Sequence, residues 1–249
     1  MDTQSKFCLT TDLFHQFYRD GFTAVHEFAS VTDIDQTREL LMSLLKRFAE
    51  PQQRVLGGCL QLERRLVLAQ CFTKIRGIAQ QLLGPEARFR YDQVFVKHPH
   101  SNWPTQWHQD DAFAYKPGDS TLKATFWLPL QHVTLESGCL QFIPGSHKAE
   151  LLPYYPLSEG VLSPLVTDCV DITQAVPCPI AAGDLTIHHG RTLHYAGPNI
   201  TDSPRMAWAV EFTAGGSSPG AQLMRLIAPM RQLPFGWPSK PALAIRRVP

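Results

Sequence analysis

At Arg88 the apolar pattern of this chain changes period, and that change limits what the chain can fold into. Upstream, apolar residues recur at helical spacing. Thr10 to Asp20 reads as a first helix ended by Gly21, and Phe22 to His26 as a short strand. Leu40, Leu41, Leu44, Leu45 and Phe48 form a second helical stripe, with Thr32 or Asp33 as cap and Pro51 beyond its end. A further helix is predicted from about Gln61 to Leu83. It carries Leu62, Leu66, Ala69, Ile75, Ile78 and Leu82 on one face, and Gly84-Pro85 stops it.

From Arg88 onward Phe89, Tyr91, Gln93, Phe95 and Lys97 alternate with Arg90, Asp92, Val94, Val96 and His98. Short strands are predicted at Lys123 to Gln131, Cys139 to Ile143, Val176 to Ile180, Leu185 to His189, Thr192 to Ala196 and Arg205 to Thr213. Pro144-Gly145-Ser146-His147 reads as a turn and Leu151 to Pro164 as a loop. Short strands divided by turn signals indicate an antiparallel barrel or sandwich. Gly215 to Gly220 reads as a break, and Pro229, Pro234, Pro238 and Pro241 as an irregular tail. With no internal repeat, the expectation is one domain over residues 1–249. Its helices lie at about 10–83, its β core at about 88–213 and its tail at about 214–249.

Composition narrows the partners. Lys+Arg number 23 against 22 Asp+Glu, a net charge of +1, which offers nothing electrostatic to nucleic acid or an anionic membrane. No apolar run reaches transmembrane length, and Met1 to Phe7 is not a signal region. The expectation is a soluble, cytoplasmic protein. The six cysteines are scattered without metal-type spacing and read as reduced thiols; a Cys169–Cys178 bridge is disfavoured.

The chemistry starts at Trp107-His108-Gln109-Asp110-Asp111. In an extended strand positions i and i+2 share a face, so His108 and Asp110 stand side by side with Gln109 turned away. That is two-thirds of a 2-His-1-carboxylate triad, which holds Fe(II) and leaves positions open. The third ligand must come from far along the chain. Ile187 to Asn199 is the densest histidine cluster, and Arg205 follows His194 by eleven residues. Alternation puts His189 with Leu185 and Ile187 but not with His188; both histidines read as structural. His147 reads as a loop anchor, and Asp111 faces away from His108. His15, His26, His98, His100 and His132 have no partner that can be named from the sequence.

The ordered set resembles the phytanoyl-CoA dioxygenase family of Fe(II)/2-oxoglutarate oxygenases. It runs from Asp20-Gly21-Phe22 through Asp92 to Lys97, Trp107 to Asp110, Ser137 to His147 and Ala182 to Leu185, to Leu193-His194 and Arg205. The resemblance implies a double-stranded β-helix, a cupin-like jelly roll buttressed by N-terminal helices. It implies His108, Asp110 and His194 as ligands of Fe(II), with 2-oxoglutarate and O2 as cosubstrates. Arg205 would grip the distal carboxylate of 2-oxoglutarate, and Trp127 would flank it. Tyr91 and Gln93 share a strand face with Lys97, one that looks toward the site. Taken alone, Arg205 reads as an exposed strand-end arginine, and Tyr91, Gln93 and Trp127 as barrel core.

One departure stands out. Two residues after the distal histidine some relatives place a serine on 2-oxoglutarate; here it is Ala196, and Tyr91 is the expected substitute. Asp110 also matters, because related halogenases carry Gly or Ala there. With the carboxylate present, hydroxylation or a kindred oxidation is expected, releasing succinate and CO2. Phe113, Tyr115 and the Leu151 to Pro164 loop are expected to border the cavity of a small organic substrate, such as a natural-product intermediate. No basic groove suggests a CoA diphosphate. The competing readings are a catalytically silent β-helix that binds a ligand, and a cupin-like metal enzyme that does not use 2-oxoglutarate. A monomer or homodimer is expected, without nucleic-acid or membrane partners.

Overall fold

The computed structural model describes residues 8–49, 54–114, 121–158 and 164–215. Tyr115, part of the Leu151 to Pro164 loop and nearly all of the tail lie outside the described residues. The N-terminal helices come first. Helix α1, Thr11–Asp20, opens on Thr10, whose hydroxyl accepts from the Leu13 amide, and ends at Gly21 with φ +87°. Only glycine fits there cheaply: an added Cβ would meet His147 and Thr192 at 2.4 and 2.5 Å. Strand β1 is Phe22–Val25 and helix α2 is Val31–Phe48. The cap of α2 is Ser30, not Thr32 or Asp33. Ser30 and Asp33 form a reciprocal capping box, which puts Asp33 inside the first turn.

The predicted helix from Gln61 to Leu83 is broken into pieces. Strand β2 is Val55–Gly57, which the sequence did not signal, and α3 is Cys59–Leu62. Glu63 then turns extended, at φ −136° and ψ 90°, and its carboxylate accepts the Arg65 amide. That local bond competes with the helix ladder. A 3-10 turn, Arg64–Leu68, follows, and only α4, Gln70–Leu83, is a full amphipathic helix. Leu62 is consequently 39% exposed, while Leu66, Ile75, Ile78 and Leu82 are buried.

The strands then run β3 Arg88–Lys97, β4 Thr105–His108, β5 Lys123–Pro129, β6 Leu140–Phe142, β7 Tyr155–Pro156, β8 Leu165–Val166, β9 Val176–Cys178, β10 Leu185–His189, β11 His194–Ala196 and β12 Arg205–Thr213. They form a six-stranded sheet in the order β1-β10-β5-β12-β3-β2, a four-stranded sheet β4-β11-β6-β9, and the ribbon β7-β8. Every pairing is antiparallel. This is the expected jelly roll. The ribbon gives the predicted loop some structure of its own.

The large sheet has two unlike faces because side chains alternate along each strand. Its outer face carries Val94, Val96, Phe126, Leu128, Ile187, Trp208 and Val210. These pack into one core with Leu41 and Leu44 of α2 and Ile75, Ile78 and Leu82 of α4. Asp92, on that same face, accepts from Trp208 Nε1 at 2.9 Å and from the Leu60 amide at 3.2 Å. The inner face meets the small sheet in a second cluster that includes Phe22, Trp127, Cys139, Phe142, Ala196, Ala207 and Ala209. The helices therefore hold one side of the sheet, and the space between the sheets is left for the site. Among the described residues no helix is long and apolar enough to cross a membrane.

Candidate metal and cosubstrate site

Three ligand-type side chains converge between the sheets. One ligand atom from each of His108, Asp110 and His194 lies within 4.8 Å of the others. His108 ends β4 and faces His194 on β11 directly in register. Asp110 starts a 3-10 turn, Asp110–Ala114. The alternation argument therefore brought the two side chains together by an incomplete route: a turn, not a continued strand, sets the carboxylate beside the imidazole. Gln109 does face away, donating to the Arg191 carbonyl and accepting from the Leu152 amide. Asp111 faces away too, into an ion pair with Lys123 at 3.0 Å.

The hydrogen bonds fix which atoms point inward. His108 Nδ1 sits 2.7 Å from the Gln106 carbonyl and His194 Nδ1 2.9 Å from the Thr192 carbonyl. A carbonyl only accepts, so both rings carry the proton on Nδ1 and present a bare Nε2. Each Nε2 stands 3.6 Å from Asp110 Oδ1, beyond hydrogen-bond reach. The other oxygen, Oδ2, is occupied: Thr125 donates to it at 2.7 Å and His188 Nε2 lies at 3.1 Å. Two imidazole nitrogens and one carboxylate oxygen thus share a space with no bond among them. That is the donor set of a 2-His-1-carboxylate iron site, with the outer hydrogen bonds such a site needs.

Electrostatics agree. Burial pushes both His108 and His194 below the usual histidine range, so both rings are neutral, the ligand form. Burial opposes ionisation of Asp110, but the rings of His194, His188 and His108 outweigh it and hold the carboxyl far below the usual range.

Beyond the triad the inner face continues in register. Across β12 and β5 the rows pair Glu211 with Thr125 and Ala209 with Trp127, and β3 adds Tyr91 and Gln93 to those rows. Arg205 is 2% exposed, so the surface reading fails. Its guanidinium reaches back over the Trp127 ring, 5.4 Å from the centroid. Its Nε is buried and makes no hydrogen bond, and among the described residues no carboxylate pairs with it. Burial lowers its pKa to about 10, and the residue stays charged at neutral pH. Gln93 is half-buried on the same face. Phe113 is 51% exposed with its ring 6.0 Å from that of His108, at the edge of the triad.

Tyr91 does not go where it was expected. It is 46% exposed, and its hydroxyl lies over Gly57 on the edge strand β2, where an added Cβ would meet it at 1.8 Å. That position is two strands from β12, so Tyr91 does not supply the hydroxyl missing at Ala196. His147 is an anchor as predicted, its Nε2 3.1 Å from the Tyr18 carbonyl. All six cysteines are free, so there is no Cys169–Cys178 bridge. His26 and His100, unassigned from sequence, pair with Asp184 and Asp202 at 2.9 and 2.8 Å.

Sequence reasoning missed three neighbours of the triad, His188, Thr125 and Glu211, and gave Lys97 a face but no role. His188 was set aside as structural, yet it holds Asp110. Its alternation against Leu185 and Ile187 was the signal that it faces inward. Thr125 gave no signal, being one hydroxyl in an apolar strand. Glu211 faces inward opposite Thr125 and is ion-paired with Arg90. Burial raises its pKa, as do the charges of Asp110 and Asp111. Its even spacing from Arg205 on one strand placed it on the inner face. Lys97 is buried at the far end of the same face.

The chain is similar to known proteins. The phytanoyl-CoA dioxygenase (PhyH) family pattern matches residues 17–207. A probable alpha-ketoglutarate-dependent hypophosphite dioxygenase of Stutzerimonas stutzeri is 28% identical over 151 residues, 59% of this chain and 52% of that protein. The chain spans about half the length of the curated relatives it matches. Among solved structures, EvdO2 from Micromonospora carbonacea var. aurantiaca complexed with 2-oxoglutarate is 29% identical, with a TM-score of 0.77 over 87% of this chain and 97% of that one. The non-heme alpha-ketoglutarate-dependent carbocyclase SnoK from nogalamycin biosynthesis is 25% identical, with a TM-score of 0.68 over 83% and 84%. This chain belongs to the phytanoyl-CoA dioxygenase family.

Proposed function

We propose that the protein is a non-haem Fe(II)- and 2-oxoglutarate-dependent oxygenase that hydroxylates, or otherwise oxidises, a small organic substrate. The observation that carries this is the pairing of two features on the inner side of the large sheet. Three unbonded donor atoms of His108, Asp110 and His194 converge, and a buried Arg205 with no carboxylate partner among the described residues lies over the inner-face Trp127 ring. A silent ligand-binding jelly roll has no use for the first, and a cupin-like metal enzyme without 2-oxoglutarate has none for the second. When bound, iron and 2-oxoglutarate supply the oxidation, splitting O2 between substrate and succinate with loss of CO2.

In this reading His108, Asp110 and His194 hold the metal on one face and leave the rest open. Thr125 and His188 steer Asp110 so that one oxygen serves the metal. Arg205 aims the cosubstrate, its planar fork matching a carboxylate. Trp127 fixes the guanidinium from one side, and Gln93 lines the same wall. Asp110 supports oxygenation over halogenation. Phe113 borders the substrate side, and Tyr115 is assigned there from the sequence alone. The aromatic border and the nogalamycin-pathway relative support a natural-product or metabolic intermediate as substrate. We read residues 1–249 as one catalytic domain, cytoplasmic, monomeric or homodimeric, with no nucleic-acid or membrane partner, on the balance of charge.

The test is iron stoichiometry. Parent protein reconstituted without oxygen is expected to hold one Fe(II), His108→Ala to lose it while keeping its circular dichroism spectrum, and His147→Ala to keep it. Full iron in folded His108→Ala contradicts the ligand assignment.

A further inference from the structure

We propose that Glu211, held by Arg90, is the acid that recognises the substrate, and that it takes a hydroxyl group carried on the substrate's ring. The assignment rests on the functional reading above and adds a substrate class to it. Glu211 lies on the inner face of β12, six residues beyond Arg205. At about 3.3 Å per residue that is roughly 20 Å along the strand, farther than a five-carbon diacid anchored at Arg205 can reach. The register partner of Glu211 on β5 is Thr125, whose hydroxyl donates to Asp110. Glu211 thus stands beside the triad, at the end of the inner face opposite Arg205.

A β-bulge makes the pair. Strands β12 and β3 run in register from Arg205–Lys97 to Glu211–Tyr91, and the next pair, Phe212–Phe89, skips Arg90. Phe89 stays on the helix side, edge-on to Phe72 and Phe212. The extra residue turns the Arg90 side chain to the inner face, where its guanidinium donates to Glu211 Oε1. Bulges beside active sites commonly re-aim a side chain in this way. Among the described residues nothing donates to the other oxygen, Oε2. The side chains of Glu211 and Arg90 are 16% and 34% exposed, open enough for a ligand to reach. Two exposed rings lie nearby: Tyr91, the partner of Glu211 on β3, and Phe113 beside His108. The ion pair is neutral overall, and that selects among polar groups. A hydroxyl donates to Oε2 and accepts from a remaining Arg90 N–H. An ammonium has no lone pair for Arg90 and meets a like charge there. A carboxylate has no proton for Oε2 and meets a like charge at Glu211.

The rival role is a clip that pins the bulge and never meets the substrate. Relaxation of probe protons by the bound metal separates the two. It is read in oxygen-free protein carrying Fe(II) and 2-oxoglutarate, with Zn(II)-loaded protein as the diamagnetic reference. The probes are cyclohexanol, cyclohexanone and cyclohexylammonium: one ring whose polar group donates and accepts, only accepts, or only donates. The parent is expected to bind cyclohexanol about threefold to tenfold more tightly than either of the others. Glu211→Met is expected to bring the three level. The double variant R90M/E211M, which removes both charges, is read by the same ratio if the single variant does not fold. A parent without preference for cyclohexanol, including one that binds no probe, overturns the assignment, and so does a preference that survives in the variants. A parent that fails to take up Fe(II) or 2-oxoglutarate overturns the functional reading as well, whereas one that holds both and shows no preference sinks this assignment alone.

Discussion

Asp110 has two oxygens with two tasks, and the neighbours that divide them are the most exposed point of the account. Thr125 and His188 bind Oδ2, which leaves Oδ1 to face His108 and His194. Partners that orient a ligand in this way typically contribute tenfold to a hundredfold in metal affinity. His188→Ala should therefore lower Fe(II) affinity by about that factor, measured by competition with a chelator, without abolishing binding. An unchanged affinity would mean that Asp110 is held by the turn alone. The triad itself was legible because His-x-Asp, a distant histidine and a later arginine form an ordered set. His188 was legible only in part: alternation gave its face, but nothing in the sequence says which carboxylate it meets.

Among the elements, the helices do their work on the outer face of the large sheet, out of contact with the chemistry. Asp92 is the polar link in that layer, joining β3 to Trp208 on β12 and to α3. Asp92→Ala removes the acceptor of two buried donors, and unfolding in denaturant should lose about 3 kcal/mol. A loss under about 1 kcal/mol would show that the layer is held by apolar packing alone. The strands of the core were readable because alternation over a buried sheet is a strong signal; β10 and β12 fall where the pattern predicts. The region from Val55 to Leu68 was not. Its three-residue strand and broken helix depend on the β3 edge and on the Glu63 carboxylate bonding its own chain, and neither leaves a periodic trace.

On the scale of the whole molecule, the site is held at a cost in buried charge. Lys97 has a folded pKa of about 6 against a usual 10.5. Between those values the unfolded chain binds a proton that the cosubstrate-free folded protein does not, so stability rises with pH there. Below about pH 6 the penalty is complete. The histidines lowered by burial act in the same direction but finish below about pH 7, and the buried thiols and Tyr18, raised by burial, act oppositely at higher pH. From about pH 7 to 8.5 the slope should approach 1.4 kcal/mol per pH unit and flatten in Lys97→Met, by denaturation at fixed ionic strength. An identical slope in both proteins would remove Lys97 as its source.

Fold class, and the convergence of His108, Asp110 and His194, could be read from the sequence because period and motif order carry them. Lys97 could not be weighed that way: it looks like an ordinary strand residue until the register sets it beside Arg205. The most direct test of the central claim is the rate at which the protein turns 2-oxoglutarate into succinate. We predict formation that requires Fe(II) and O2, vanishes in His108→Ala, and in Arg205→Ala needs about a hundredfold to a thousandfold more 2-oxoglutarate, as loss of a buried charge partner implies. Succinate formation that persists without added metal in chelator-treated protein, or an Arg205→Ala variant that saturates at the parent's 2-oxoglutarate concentration, would contradict the account.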